Sequence, residues 1–248
     1  MFAKIFGRRD SVPVPYPALH PEAPVEIVGD LHGCLDLLEA LPAPSNGVTR
    51  VFVGDIIDRG PDTKGVLEAM QQLTAQSGIV CLMGNHEDML LNFLHDPVKN
   101  RSWLHHGGLE TCLSYGVGAI RSINEDSTVL ELREALKTAI GPETEAWLGQ
   151  LPMTWQSGNL YISHAGADPS LPMEQQSKRS LIWGHPEYQK RRRTDGIWVA
   201  RGHVIVDEAS AQSGRVSVDT GAYATGRLTL ARIDTDGGVG FVTVSNYA

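Results

Sequence analysis

Residues 25–34 read VEIVGDLHGC: a short apolar run ends in Gly-Asp, followed by a histidine and a second glycine. An apolar, β-branched run closed by glycine predicts a strand over 25–28 that leaves its sheet sharply. The same design recurs in VFVGDIIDRG at 51–60 and VCLMGNHED at 80–88, which predict strands at 50–53 and 79–83. Helical patterns fill the intervals, at about 34–41, 64–76 and 87–95. Strands that alternate with helices imply parallel crossover units.

Further along, STVLELREALKTAI (127–140) places apolar residues three to four apart behind a Ser/Thr cap, and GPETEAWLGQL continues the helical region. The last third turns to strands in NLYISHAG, GIWVARGHVIV, GRVSVDTGA, GRLTLARIDTDGG and GFVTVSNY. Short Gly and Asp-Gly turns between several of them predict antiparallel hairpins. The expected fold class is therefore α/β, with two mixed β-sheets packed together and helices outside. Residues 1–24 are rich in proline without any period and read as an extended lead-in, so the domain proper is taken as 25–248.

A length of 248 residues suits one substantial domain. No window approaches the roughly 18 apolar residues of a membrane span, so no membrane partner is expected. The start, MFAKIFGRRD, lacks the apolar region and cleavage site of a secretory signal, which makes a cytoplasmic location the default. Cys34, Cys81 and Cys112 form no C-x-x-C pair and fit reduced thiols. A formal charge of −8 argues against a nucleic-acid partner. The run QKRRR at 189–193 reads either as a solvated loop or as a phosphate-gripping fork. Nothing in the sequence fixes the oligomeric state.

In open α/β sheets, ligands gather at the carboxyl ends of strands. The three opening segments place Asp30 with His32, Asp55 with Asp58, and Asn85 with His86 at such ends. Carboxylate, imidazole and amide oxygen suit manganese, iron or zinc better than calcium, and they exclude a thiolate zinc finger. Clustered carboxylates repel one another unless cations neutralise them. His164 in YISHAGA and His203 in VARGHVIV also follow apolar strand patterns and extend the set. Six ligands with one shared carboxylate can hold two divalent ions roughly 3.5–4 Å apart. Two divalent metal ions are therefore the expected cofactors, manganese first, with iron or zinc as alternatives.

Taken in order, GDLHG (29–33), GDIIDRG (54–60), GNHED (84–88), SHAG (163–166) and RGH (201–203) resemble the phosphoprotein phosphatase branch of the calcineurin-like metallophosphoesterases. DTGAYATGRLTLARI (219–233) is similar to the C-terminal strand segment of bacterial and phage members and of symmetrical diadenosine tetraphosphate hydrolases. The resemblance implies a four-layer fold, a sandwich of two sheets flanked by helices. It also implies roles: Asp30, His32 and His203 hold one metal, Asn85 and His164 the other, and Asp55 bridges them. His86 protonates the leaving group, Asp58 orients its ring, and Arg59 binds the phosphoryl oxygens. A water shared by two cations has its pKa lowered from 15.7 towards about 7, so a metal-bridging hydroxide attacks phosphorus directly without a phosphoenzyme. The implied activity is that of a serine/threonine protein phosphatase. The alternative is hydrolysis of a diadenosine polyphosphate or another nucleotide phosphoanhydride, so the expected partner is a phosphoprotein or a phosphorylated small molecule.

Members commonly carry a second phosphate-binding Arg soon after a Leu-x-Trp element, and here SLIWGHPEYQKRRR (180–193) has His185 near that place. Either His185 replaces it, or one of Arg191, Arg192 and Arg193 swings in, or the second clamp is absent. In WLHHGGLETCLSYG (103–116), His106 stands in the Asn position of an N-G-G stretch, and reads equally as a substrate contact or a loop cap. Tyr223 borders the pocket or packs at a strand end.

Overall fold

The computed structural model describes residues 15–118 and 123–246. In chain order its elements are β1 (Val25–Val28), α1 (Leu35–Glu39), β2 (Thr49–Phe52), α2 (Thr63–Thr74), β3 (Ile79–Cys81), α3 (Asn85–His95), α4 (Gly108–Ser114) and α5 (Asp126–Gly149). They continue with β4 (Thr154–Ser157), β5 (Leu160–Ser163), α6 (Lys178–Trp183), β6 (Trp198–Arg201), β7 (Ser210–Gln212), β8 (Arg215–Ser217), α7 (Ala222–Thr225), β9 (Arg227–Ile233) and β10 (Val239–Ser245). The first sheet runs β10-β9-β1-β2-β3 and the second β4-β5-β6-β8-β7.

Both sheets are mixed: the first is parallel from β1 to β3 and antiparallel through β9 and β10, and the second has a parallel centre with an antiparallel pair at each edge. β1, β2 and β3 pair in parallel, Ile27 facing Val51 and Val51 facing Val80, because α1 and α2 carry the chain back between them. Side chains alternate across each strand, and this decides the layers. Val25, Ile27, Val51 and Val53 of the first sheet meet Leu160, Ile162, Ala200 and Val216 of the second in an apolar inter-sheet layer. Val28, Phe52 and Cys81 point the other way and bury against Leu37, Leu67, Met70 and Phe93 of the helices. Each such side chain contributes up to about 1.5–3 kcal/mol through loss of contact with water. On the helix side Glu26 lies directly opposite Arg50 in the register, and the two form a buried ion pair at 2.6 Å.

The two mixed sheets flanked by helices match the expected class, with informative differences. β6 stops at Arg201, short of the predicted run through Val206, because His203 takes a left-handed φ of +64° that no continuing strand accommodates. It pairs in parallel with β5 and β8, since the chain between β5 and β6 crosses over through α6. The β9–β10 hairpin forms as expected, closed by the Asp234 amide on the Gly238 carbonyl at 2.9 Å. Two polar strands, β4 and β7, escape the sequence pattern and complete hairpins with β5 and β8. α5 breaks at Gly141 (φ +79°), where Pro142 opens a second helical stretch.

Residues 1–14 of the lead-in lie outside the described residues. Residues 15–24 form neither helix nor strand and are bonded to the second sheet: Tyr16 Oη donates to the Ile197 carbonyl at 2.6 Å and the His20 amide to Asn159 Oδ1 at 2.8 Å. Among the described residues no helix is long and apolar enough to cross a membrane.

Candidate active site

The sandwich brings carboxyl ends of parallel strands from both sheets to one edge. Asp30 and His32 follow β1, Asp55 follows β2, Asn85 and His86 open α3 after β3, His164 follows β5 and His203 follows β6. Two bonds stitch the sheets together here. His164 Nδ1 lies 3.0 Å from the Val53 carbonyl, and the His203 amide donates to both Asp30 oxygens at 3.2 and 3.0 Å.

Asp55 is the hub. Its Oδ2 stands 3.2 Å from His164 Nε2, 3.6 Å from His32 Nε2 and 3.9 Å from His86 Nε2. His164 Nε2 in turn lies 2.9 Å from Asn85 Oδ1 and 3.2 Å from His203 Nδ1. Two groups of potential ligand atoms result, His32–Asp55–His86 and Asp55–His164–His203, the atoms of each within 4.8 Å of one another. Among the predicted ligands, all but His203 are buried, at 0–3% exposure.

The outer nitrogens decide what the inner ones can do. His32 Nδ1 and His164 Nδ1 face the carbonyls of Ile57 and Val53 at 2.8 and 3.0 Å, which accept only from a protonated nitrogen. In the neutral rings Nε2 is then left with a lone pair facing the cluster, the arrangement found behind metal-bound histidines. Carboxylate oxygen, amide oxygen and imidazole lone pairs would crowd together as mutual acceptors, and only a proton or a cation at their centre removes the conflict. In the chain alone the proton serves: burial opposes a charge on His164, but the Asp55 and Asp30 carboxylates prevail and raise it to about 9. Burial pushes Asp55 up, yet His164 and His86 hold it well below the usual carboxylate range. Burial lowers His32 to about 3, and it raises Asp30 well above its ordinary value with help from Asp219. A donor set of hard oxygens and imidazoles with these opposed charges fits divalent cations of the manganese, iron or zinc type.

Backbone strain is concentrated in the same place. His32, Asp55, Asp58, Arg59 and His203 have φ of 46°, 49°, 70°, 68° and 64°, left-handed values that L side chains avoid. Among the described residues a single further non-glycine, Ser213 in a hairpin turn, shares this feature. Such strain costs of order 1–3 kcal/mol per residue and persists where surrounding bonds over-determine it. Glycine is required beside it: a Cβ on Gly202 would fall 1.9 Å from Asp30 Oδ1, and one on Gly84 2.2 Å from Asp55 Oδ1.

Sequence reasoning named Asp58 as the partner of His86 but missed Glu87, Asp219, and the Trp103 and Thr111 side chains that support Asp58. Glu87, fully buried, accepts the amides of Gly84, Asp55 and Ile56 at 2.8, 2.9 and 2.9 Å, fixing the loop after β2 to the start of α3. Burial and the Asp55 charge push its carboxyl up to about 7. Its place in GNHED was visible, but an acid in a first helical turn reads as a capping residue. Asp58, at 0% exposure, bonds His86 Nδ1 through Oδ2 at 2.7 Å. The same oxygen accepts Trp103 Nε1–H at 2.8 Å, and Oδ1 accepts Thr111 Oγ1–H at 2.6 Å. Asp219, buried two residues past β8, bears on Asp30 through its charge. No local pattern announces these contacts.

The predicted substrate-facing residues are more dispersed. Arg59 Nη1 donates to Tyr223 Oη at 3.0 Å with the guanidinium 4.8 Å above its ring, and that ring meets His32 edge-on at 5.1 Å. The Arg59 amide donates to the Gly107 carbonyl at 3.3 Å, so His106 sits one residue from Arg59's support. His106 Nδ1 is bonded to the Ser102 carbonyl at 2.7 Å and its ring is exposed. His185 pairs instead with Asp168, Nε2 to Oδ2 at 3.6 Å. Of the basic run, Arg193 is buried on Asp195 and the carbonyls of Asp168 and Leu171, and Arg192 lies 4.6 Å above the Tyr16 ring. Arg191 is exposed and lends its carbonyl to Arg215.

Strand-end carboxylates and imidazoles gathered between two mixed sheets define a metal-dependent hydrolase of phosphate esters. The chain belongs to the calcineurin-like phosphoesterase family, whose sequence profile matches residues 23–207. It is similar to the asymmetrical bis(5'-nucleosyl)-tetraphosphatase PrpE of Anoxybacillus flavithermus, 29% identical over 239 residues that span 84% of this chain and 89% of the relative. It is also similar to serine/threonine-protein phosphatase 1 of Salmonella typhimurium, 28% identical over 221 residues, 84% of this chain and 91% of that one. In fold it resembles the crystal structure of a protein provisionally named diadenosine tetraphosphatase, with a TM-score of 0.62 at 23% identity, covering 94% of this chain and all of the other.

Proposed function

We propose that Asp30 and His32 hold one divalent cation, Asn85, His164 and His203 a second, and that Asp55 is shared between them. The observation that carries this reading is the position of Asp55 Oδ2, common to both groups of ligand atoms. His203 moves from the Asp30 side, where the resemblance put it, to the His164 side, because its ring nitrogen faces His164 while its backbone amide alone reaches Asp30. When bound, a pair of such cations, manganese foremost, supplies an activated water and neutralises phosphoryl charge.

The chain's own groups do the rest. Arg59 grips the phosphoryl oxygens, with Tyr223 steadying its guanidinium. His86 donates a proton from Nε2 to the departing oxygen, its Nδ1 held by Asp58 at 2.7 Å. Burial disfavours a charge on His86, but the Asp55 and Asp58 carboxylates prevail and raise its pKa, which keeps the proton available.

Between the two substrates left open by the sequence, a dinucleoside polyphosphate takes precedence over phosphoserine or phosphothreonine in a protein, supported by similarity to several enzymes named asymmetrical bis(5'-nucleosyl)-tetraphosphatase. Likeness to the Salmonella protein phosphatase supports the second reading. A cytoplasmic setting belongs to the same proposal, supported by three buried free cysteines. The test is a side-by-side assay of manganese-loaded protein on diadenosine tetraphosphate, a phosphoserine peptide and a phosphodiester. Fast cleavage of the dinucleotide is expected. Rapid peptide turnover with negligible nucleotide cleavage reverses the order, and inertness towards all three refutes the two-cation reading.

A further inference from the structure

A cavity of about 360 Å³ lies between α3, the turn at Arg101–His106 and α6. We propose that it is the subsite for one nucleoside of the substrate, and this rests on the dinucleotide reading above. The volume is at the small end of ligand pockets, roughly 300–1,000 Å³, which suits a base with its ribose better than a length of polypeptide.

Its walls tie it to the chemistry. Trp103 lines it and donates to the Asp58 oxygen that also holds His86, so the cavity adjoins the leaving-group side of the centre. Asp88 and Met89, which also line it, follow His86 by two and three residues on α3. His106 forms another part of the lining and is joined through Gly107 to the support of Arg59. A chain of phosphates gripped at Arg59 can therefore carry its nucleoside into this space.

The chemistry of the lining favours that occupant. Trp183 is 41% exposed, a large indole whose face can stack on a base. Arg179, four residues earlier on α6, shares its helix face. It is exposed and makes no hydrogen bond or ion pair with the described residues, leaving its fork for phosphate oxygens. His106 donates Nδ1–H to the Ser102 carbonyl, so a neutral ring offers Nε2 as an acceptor for an amino or ribose hydroxyl group. Lys178 is bonded to Asp88 at 2.5 Å and ties α6 to α3, which keeps the two walls in register.

The test uses full-length, manganese-loaded protein and the variants Trp183→Ala and Arg179→Gln, both at exposed positions. For each, kcat/KM is measured on diadenosine tetraphosphate, p-nitrophenyl phosphate and a phosphoserine peptide, together with inhibition of aryl phosphate hydrolysis by ADP. The expected result is at least a tenfold fall in the dinucleotide-to-aryl-phosphate ratio, carried by KM, with a matching rise in the ADP inhibition constant. A ratio and an inhibition constant both within twofold of wild type overturn the inference, as does an equal fall for the peptide, which would mark a peptide pocket. If wild-type protein cleaves aryl phosphate but no dinucleotide, the substrate reading fails by itself. The ADP constant then still decides the subsite: a tenfold weakening in the variants upholds a nucleotide pocket, and no change refutes it.

Discussion

The buried carboxylate–imidazole centre and the rim around it are built on opposite principles. In the centre Asp30, His32, Asp55, Asn85, His86 and His164 are buried, and their polar atoms face backbone groups or one another. On the rim Tyr223, His106, Trp183 and Arg179 are exposed, with one bond or none to hold each side chain. The contrast teaches that the reacting geometry is over-determined by the fold, while recognition is left to side chains that can change without disturbing it. Strain follows the same division, since among the described non-glycine residues all the left-handed ones but Ser213 are strand-end motif residues, with the Asp55 amide held by Glu87 and the Asp58 amide by Thr63 and Thr111.

This division can be broken in stages. Chelation should abolish hydrolysis, with manganese restoring it, and Asp55→Asn should lower kcat by about 10³-fold or more, because cation stabilisation is worth several kcal/mol. Metal analysis should show a reduced metal content in that variant, and a full complement with normal activity would remove Asp55 from its shared position. His86→Ala should lower kcat by about 10²–10⁴-fold with metal content intact, an outcome measurable by turnover beside elemental analysis.

Smaller effects are expected one layer out. Trp103→Phe and Thr111→Val each remove one bond to Asp58 and should cost roughly 10–100-fold. Alkyl phosphates, which need a protonated leaving group, should suffer more than p-nitrophenyl phosphate, and equal losses on both would mean general disturbance rather than a misplaced His86. At the rim, Tyr223→Phe deletes the bond to Arg59 Nη1 and should raise KM by roughly 2–10-fold with little change in kcat. A fall in kcat larger than that for Trp103→Phe would erase the distinction between centre and rim.

The centre was legible in the sequence because a backbone that must turn sharply and then present an oxygen or an imidazole leaves a local record. Gly29-Asp30, Gly54-Asp55 and Gly84-Asn85 each carry it, as do the β1–β3 strands that precede them. The neighbours of His203 were not legible, since its backbone and ring point to different ones, Asp30 and His164. Nor were β4 and β7, whose polar residues take strand form through pairing with β5 and β8.

The residue types and their spacing alone determined a parallel α/β core and a set of candidate ligands at its strand ends, because these depend on alternation and on short chain segments. Tertiary structure alone decided that strand ends from two sheets meet at one edge, that Trp103 and Thr111 hold Asp58 across some fifty residues, and that Trp183 and Arg179 line one cavity with Trp103. Such contacts join segments far apart in the chain, and the sequence records only what each segment prefers, not which distant partner it will find.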